Sequence, residues 1–182
     1  MAKPFPSSGY GAFREGFVVQ FESNKIGTWV GNFQLGSTTF SGAYQHPDEA
    51  RVIVVSGGAV YIVNPDTQAA EELNDMVYSA NQLSEGKGLL FDNGTYLSLI
   101  GRDHIWRTSP LSWDGIRNLS VSDEAVFGEG WYYDDTWHRF SVSIHDGSHT
   151  GGACDPPDFI PIKQPELIPV KYPWWQFWKR HA

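Results

Sequence analysis

The sequence predicts an all-β fold of antiparallel hairpins, arranged as a twisted sandwich or an open, propeller-like barrel with at most one short helix. Several segments alternate apolar with polar residues, as strands do when they bury one face. Pairs of Asp or Asn with Gly separate these segments and suit tight hairpin turns. Aromatic residues make up 15% of the 182 residues and there are 19 glycines. This composition favours strands and turns over helices.

Three strands are predicted ahead of the clearest hairpin, at 17–21, 28–34 and 38–44. Asn24 and Gly27 mark the turn between the first two, because both residue types suit turn conformations. Gly36 and Ser37 separate the second strand from the third. The N-terminal part of the chain is therefore expected to contribute strands to the same sheet architecture as the rest.

The clearest hairpin joins two β-branched strands, 51–55 and 59–63, across Ser56-Gly57-Gly58. Asn93-Gly94 predicts a second hairpin, between 89–91 and 95–100, since Asn-Gly supplies the positive φ angles of a primed turn. The remaining predicted strands are 105–107, 116–121, 125–133, 136–144 and a short one at His149. Such hairpins supply about three four-stranded units, fewer than the roughly four blades of a closed propeller, so an open arrangement is favoured.

The segment from Ala69 to Leu83 allows two interpretations. Its apolar residues recur at intervals of three and four, which favours one short helix between Pro65 and Gly86. In the alternative, 68–73 forms a strand that pairs back on 60–63 across a turn at 64–67. We predict the helix.

Proline becomes frequent after Gly152, with six prolines between Pro156 and Pro173. This spacing disfavours both helix and central strand and predicts an extended, polyproline-like segment. We therefore divide the chain into a β domain at 1–152 and a tail at 153–182. The tail ends in a run rich in tryptophan, 172–180, which we expect to pack on the domain or on a partner because exposed aromatic groups are adhesive.

The net charge of −8 restricts the classes of partner. Such a chain is repelled by phosphate backbones, which disfavours nucleic acid, and is attracted to basic proteins. The single cysteine, Cys154, excludes an internal disulfide and points to a reducing compartment. The sequence shows no signal peptide and no run approaching the ~20 apolar residues that cross a bilayer, so we expect a soluble, cytoplasmic protein without a membrane partner.

The densest acidic cluster lies among aromatic residues between 123 and 137, with no Lys or Arg within it. Carboxylates beside Trp and Tyr are suited to contact a basic protein surface. The predicted partner-binding residues are Glu129, Trp131, Tyr133, Asp134, Asp135 and Trp137. In the competing interpretation the aromatic rings lie in the core and the carboxylates occupy a solvated turn.

Two groups of residues bear on the question of a catalytic or metal site. Asp114 and Glu129 could form the carboxylate pair of a glycosidase, although Asp114-Gly115 is also an ordinary turn dipeptide. His138, His145 and His149 are close in sequence, but no Cys or suitably spaced carboxylate accompanies them. The chain contains no nucleophile elbow or phosphate-binding loop. We therefore predict neither an enzyme nor a bound metal or cofactor.

The segment Ser112-Trp113-Asp114-Gly115-Ile116-Arg117, followed by Gly128-Glu129 and by Trp137 three residues before Phe140, resembles a set of uncharacterised bacterial β-rich proteins. Val55 to Asp66 fits the same set, so the resemblance covers much of 31–152. It implies a bacterial all-β fold. The proline-rich tail lies outside it.

Small, acidic β proteins without catalytic motifs also resemble, in character though not in motif, the immunity proteins that neutralise bacterial toxins. The leading hypothesis is accordingly a non-enzymatic immunity protein that covers a basic surface of its toxin. The alternatives are a carbohydrate-binding module, in which tryptophans stack on sugar rings, and a glycosidase-like hydrolase.

Overall fold

The structure, a computed structural model, describes residues 2–6, 15–73 and 75–154. Fifteen strands in this part of the chain form four separate sheets. Sheet 1 contains β1 (Lys3–Phe5), β2 (Gly16–Ser23) and β3 (Gly27–Gln34). Sheet 2 contains β4 (Gly42–Gln45), β5 (Val52–Ser56), β6 (Ala59–Asn64) and β7 (Ala69–Leu73). Sheet 3 contains β8 (Ser79–Gln82), β9 (Leu89–Asp92), β10 (Leu97–Ile100) and β11 (Ile105–Arg107). Sheet 4 contains β12 (Ile116–Val121), β13 (Ala125–Trp131), β14 (Trp137–Ser143) and β15 (His149–Gly151).

Sheets 2, 3 and 4 share one topology, in which four consecutive strands pair in sequence order and all neighbours are antiparallel. Sheet 1 differs because β3 lies in its centre and β1 pairs with β3 in parallel. A single 3-10 turn at Ser84–Gly86 is the one helical element among the described residues. The prediction of an all-β fold built from antiparallel hairpins is confirmed.

Three buried clusters hold the sheets in series. One joins sheets 1 and 2 and contains Phe33 and Tyr61. The second joins sheets 2 and 3 and contains Ile53 and Phe91. The third joins sheets 3 and 4 and is centred on Leu99, Trp106, Phe140 and their neighbours. Each cluster thus connects one sheet to the next along the chain.

Burial on one or both faces explains why strands differ in sequence pattern. In β5 successive residues go to opposite sides, with Val54 in the first cluster and Ile53 and Val55 in the second. Strands covered on both faces are expected to be continuously apolar. In β13, by contrast, Val126 is buried while Phe127 on the opposite face is exposed. Sheet 4 therefore has one open face.

The helix predicted between Ala69 and Leu83 is wrong, because this segment forms β7 and β8. Strand β7 pairs antiparallel with β6, so that Val60 lies opposite Leu73, as in the alternative interpretation. The apolar residues do not lie on one face: Leu73 and Val77 pack in the second cluster, whereas Leu83 packs in the third. The apolar residues recur at helical intervals because the segment runs from the second buried cluster to the third and contributes apolar residues to both.

A buried polar group holds the connection between sheets 2 and 3. The Asp75 carboxylate, in the segment after β7, accepts hydrogen bonds from Asn93 Nδ2 and from Tyr96 Oη, the latter at 2.7 Å. Ser98 Oγ donates to the same carboxylate at 3.1 Å and Arg107 Nη2 lies 3.3 Å from it. Because the side chain of Asp75 is almost fully buried, these contacts fix the crossing between the sheets.

Among the described residues there is no helix that is both sufficiently long and sufficiently apolar to span a membrane. The predicted tail from 153 onwards, with its terminal aromatic run, falls almost entirely outside the described residues, which end at Cys154.

Candidate functional site

The outer face of sheet 4, together with the turn at one end of it, brings the six predicted partner-binding residues together. Glu129 and Trp131 follow one another on the outer face of β13, since the intervening Gly130 is buried. Trp137, at the start of β14, lies directly opposite Trp131. Tyr133, Asp134 and Asp135 belong to the turn that joins these two strands.

Two arginines from neighbouring strands approach Glu129. Arg117 Nε donates a hydrogen bond to Glu129 Oε2 at 2.9 Å, and Asn118 Nδ2 donates to the same oxygen at 2.9 Å. Arg139 Nε lies 3.9 Å from the other carboxylate oxygen. The hydrogen bond from Arg117, followed by that from Asn118, holds the pKa of Glu129 below its usual range. The sequence cluster without Lys or Arg thus becomes, in the folded sheet, a carboxylate paired with basic groups.

Arg117 also contacts the ring of Trp137. Its guanidinium lies 3.9 Å from the ring centroid, a distance that allows a cation–π interaction. Arg117 is therefore fixed between a carboxylate and an indole, and both Glu129 and Trp137 are ordered by it. On the outer face Glu129 is thus flanked by two positive groups, Arg117 and Arg139.

Three aromatic side chains cluster beyond the end of β13. Trp113 meets Tyr132 and Tyr133 edge to face, with ring centroids 6.1 and 6.0 Å apart. The rings of Tyr132 and Tyr133 lie 4.1 Å apart. Trp113 is 51% exposed and Tyr133 is 64% exposed. We call Trp113, Tyr132 and Tyr133 the aromatic patch.

A serine holds the loop that carries Trp113. Ser112, whose side chain is buried, donates to the Gly115 carbonyl at 2.6 Å and accepts from the Trp131 amide at 2.9 Å. The Trp113 amide donates to the Trp131 carbonyl at 3.0 Å. Gly115 adopts φ +87°, which closes this short loop. The loop therefore presents Trp113 in one orientation, against the tyrosines that follow Trp131.

Gly130 makes this arrangement sterically possible. A Cβ at this position would lie 2.1 Å from the Leu111 carbonyl oxygen, a distance that no side chain tolerates. The strand and the loop can approach only because β13 has a glycine there. Trp113 and Tyr132 were not among the predicted binding residues, although the Ser-Trp-Asp-Gly segment contains the signal for this turn.

The carboxylates beside the patch are exposed, and that of Asp134 stabilises its turn. Asp134 accepts hydrogen bonds from the Thr136 hydroxyl and amide, which lower the pKa of Asp134. Asp135 adopts φ +65°, a conformation that Asp tolerates in turns. Asp114 is exposed next to Trp113. Of the competing interpretation, the role in a turn holds for Asp134, whereas none of the aromatic rings from Phe127 to Trp137 is buried in the core.

The histidines of this region contact different partners. His138 lies 2.8 Å from the Thr136 hydroxyl, whereas His149 lies 3.4 Å from the Ser109 hydroxyl. His145 is exposed in the turn after β14. Within the ranges that the structure describes, no group of three or more His, Cys, Asp or Glu side chains is arranged to hold a metal ion.

Burial raises the pKa of the Cys154 thiol.

No family model matches this chain, and no curated protein or solved structure was found to match it.

Proposed function

We propose that this chain is a non-enzymatic binding protein whose aromatic patch receives a basic protein partner. The observation that carries the proposal is the exposure of Trp113 and Tyr133 in a loop arrangement held by Ser112. Ordered, accessible aromatic side chains contribute strongly to protein interfaces, since they bury a large area with little loss of conformational entropy.

Charge supports a basic partner. Asp114, Asp134 and Asp135 lie in the two loops that form the patch, and the chain as a whole carries −8. Lysine or arginine side chains of a partner can contact the faces of Trp113 and Tyr133 while these carboxylates attract them. Glu129, Trp131 and Trp137 extend the surface along sheet 4, but Glu129 is paired there with Arg117 and Arg139, so the negative charge that would attract a basic partner is that of the loops.

In its most concrete form, the proposal is that the chain is a bacterial immunity protein that covers a basic active-site surface of a toxin. This form rests on the charge, on the patch and on the absence of a recognisable catalytic motif in the sequence. It predicts that the toxin is encoded beside this protein, and that the complex buries the aromatic patch.

Co-expression tests this proposal. The product of the adjacent gene is expressed alone, with this protein, and with a variant carrying Trp113→Ala and Tyr133→Ala. The wild-type protein is expected to restore growth and the double variant to fail, because two aromatic contacts are lost. The control is Tyr78→Ala, since Tyr78 is 52% exposed but lies between sheets 2 and 3. Equal protection by wild type and double variant would remove the aromatic patch as the site.

Carbohydrate binding is the second candidate, favoured by the same exposed rings. Indole and phenol rings stack on sugars, and exposed carboxylates accept hydrogen bonds from hydroxyl groups. The two candidates differ in their response to salt. Association with a basic protein slows as salt rises, whereas tryptophan fluorescence changes with soluble glycans are expected to be insensitive to it.

A glycosidase that uses Asp114 and Glu129 is less well supported by this geometry. A general acid must hold its proton near neutral pH, which requires a raised pKa. Arg117 and Asn118 stabilise the ionised form of Glu129, so Glu129 could serve only as the base or nucleophile, and the exposed Asp114 would have to be the general acid.

A further inference from the structure

An open groove of about 960 Å³ lies between sheets 3 and 4, at the end of sheet 4 opposite the aromatic patch. Four connections between strands line it, and they contribute Lys87, Arg102, Glu124 and His145. Strand β13 separates the two surfaces, because Ala125 lines the groove while Trp131 is at the other end, about 20 Å away at the usual rise per residue. The groove is thus a second site, distinct from the aromatic patch.

The lining of the groove is rich in hydrogen-bond donors. Three of the six histidines in the sequence, His104, His145 and His149, contribute imidazole groups to it. Arg102 adds a guanidinium with five N–H donors. Of the four hydroxyl side chains in the lining, those of Ser143 and Ser148 already hydrogen-bond the Asp146 carboxylate, which leaves Ser141 and Thr150. Such a concentration of donors in an acidic protein is suited to a ligand with several acceptor oxygens.

The formal charges of the lining balance, because Lys87 and Arg102 are matched by Asp123 and Glu124. Lys87 Nζ donates to the Asp123 carbonyl at 3.0 Å and lies 3.6 Å from its carboxylate, so these two charges offset one another. Arg102 lies 3.7 Å from Glu49, beyond hydrogen-bond distance, and both side chains are largely exposed. Glu124 is the remaining acid in the lining.

The walls of the groove are held by buried contacts. Trp106 Nε1 donates to the Ile144 carbonyl at 2.8 Å, and the Ile144 amide donates to the Glu124 carbonyl at 2.9 Å. Gly147 packs so closely on Trp106 that a Cβ there would lie 2.7 Å from the indole ring. The turn with His145 is therefore fixed to sheet 3, as expected of a preformed ligand site.

We propose that this groove binds a small ligand that carries a phosphate or sulfate group. Arg102 and the imidazoles of His145 and His149 supply the donors to the oxyanion, whereas the charge of Lys87 is offset by Asp123. The volume suits a ligand of the size of a sugar phosphate. A small ligand is favoured over a polyanion because the whole protein carries −8.

Isothermal titration of the full chain with glucose 6-phosphate, glucose 6-sulfate and glucose tests this site. Both charged sugars are expected to bind, and glucose to bind at least tenfold more weakly, since it lacks the charge-assisted hydrogen bonds. Comparing the affinities for glucose 6-phosphate and glucose 6-sulfate shows which of the two oxyanions the groove prefers. Absence of binding by both charged sugars, or equal binding of glucose, would overturn the proposal.

Two substitutions, one of a positive and one of a negative side chain, are expected to change the affinity in opposite directions. A general loss of folding would weaken binding in both variants. Arg102→Gln is expected to weaken binding by about tenfold, whereas Glu124→Gln is expected to strengthen it, because the same oxyanion is attracted by one residue and repelled by the other. Lys25→Gln is the matched control, since Lys25 is exposed in the β2–β3 turn of sheet 1 and its loss changes the net charge as Arg102→Gln does. If Lys25→Gln weakened binding as much as Arg102→Gln, the groove would not be the site.

Discussion

At the residue scale, Arg117 determines the chemical character of the outer face of sheet 4. It donates to Glu129 and lies over the ring of Trp137, so that one side chain neutralises an acid and orders an indole. The lowered pKa of Glu129 is a consequence of this contact. A partner that approaches sheet 4 therefore meets an ion pair beside Trp137, and the exposed acids nearest the aromatic patch are Asp114, Asp134 and Asp135 in its turns.

Replacing Arg117 tests this electrostatic arrangement. In Arg117→Met the pKa of Glu129 is expected to rise towards its usual range, because the largest cause of its depression is removed. A carboxylate whose pKa is lower in the folded state stabilises the fold above its unfolded pKa, and this contribution is lost as pH falls through the folded value. The variant should consequently lose less stability on acidification than the wild type. Carboxyl NMR titration and acid denaturation measure the two effects.

Arg139→Met is the matched control for this prediction. Arg139 is 91% exposed and its Nε lies 3.9 Å from Glu129, so its removal should raise the pKa of Glu129 less than Arg117→Met does. An unchanged titration of Glu129 in Arg117→Met would contradict the account of this ion pair.

The sequence predicted the outward direction of Glu129 but not its partners. Strand alternation alone indicates which residues share a face, whereas the residue opposite depends on register. The register of β12 shifts between Arg117 and Ser120, and Asn118 adopts φ +55° there. This irregularity brings both Arg117 and Asn118 to one carboxylate, and the alternating pattern contains no signal for it.

At the element scale, the loop between sheets 3 and 4 and strand β13 form one unit. Ser112 joins them by hydrogen bonds, and Gly130 lets them approach. The orientation of Trp113 follows from this contact, so the patch depends on the close packing of a loop on a strand.

Gly130→Ala is expected to lower the free energy of unfolding by about 3 kcal/mol, because its Cβ would overlap the Leu111 carbonyl and force strand and loop apart. The measurement is urea denaturation. Gly27→Ala is the comparison: there a Cβ meets nothing within 4 Å, but φ is +76°, so the expected loss is about 1 kcal/mol. Equal losses in the two variants would show that the packing at Gly130 is not as close as described.

Segments with strong local signals were predicted best. The hairpin across Ser56-Gly57-Gly58 formed as expected, because β-branched strands and glycines with positive φ agree locally. The segment from 69 to 83 was predicted wrongly as a helix, since its apolar spacing matches a helix by coincidence. The turn residues at 64–67 did indicate the pairing with β6 that the structure shows, but only as the alternative interpretation. The parallel pairing of β1 with β3 joins distant residues, and no local signal predicts it.

At the scale of the whole molecule, the four sheets are joined in series by three cores. Sheets 2 and 3 contribute residues to two cores each, whereas sheets 1 and 4 contribute to one. In architectures where each unit contacts its neighbours along the chain, stability varies with the number of interfaces that a unit makes. An end sheet with one open face is well placed to bind a partner.

This arrangement predicts a gradient of amide hydrogen exchange. The slowest amides are expected in β5, β6, β9 and β10, whose residues are covered on both sides, and faster exchange in sheet 4. Hydrogen-exchange mass spectrometry of the full chain measures this directly. Slowest exchange in sheet 4 would contradict the proposed order of stability.

The central claim is that the aromatic patch at the end of sheet 4 is the partner-binding surface. Its most direct test is the affinity of the purified protein for the adjacent gene's product, compared between Trp113→Ala/Tyr133→Ala and the control Tyr78→Ala. We predict a loss of affinity of about 100-fold or more for the double variant, from two contacts of about 2 kcal/mol each partly acting together, and an unchanged affinity for the control. Equal affinities for the wild type and the double variant would contradict the claim.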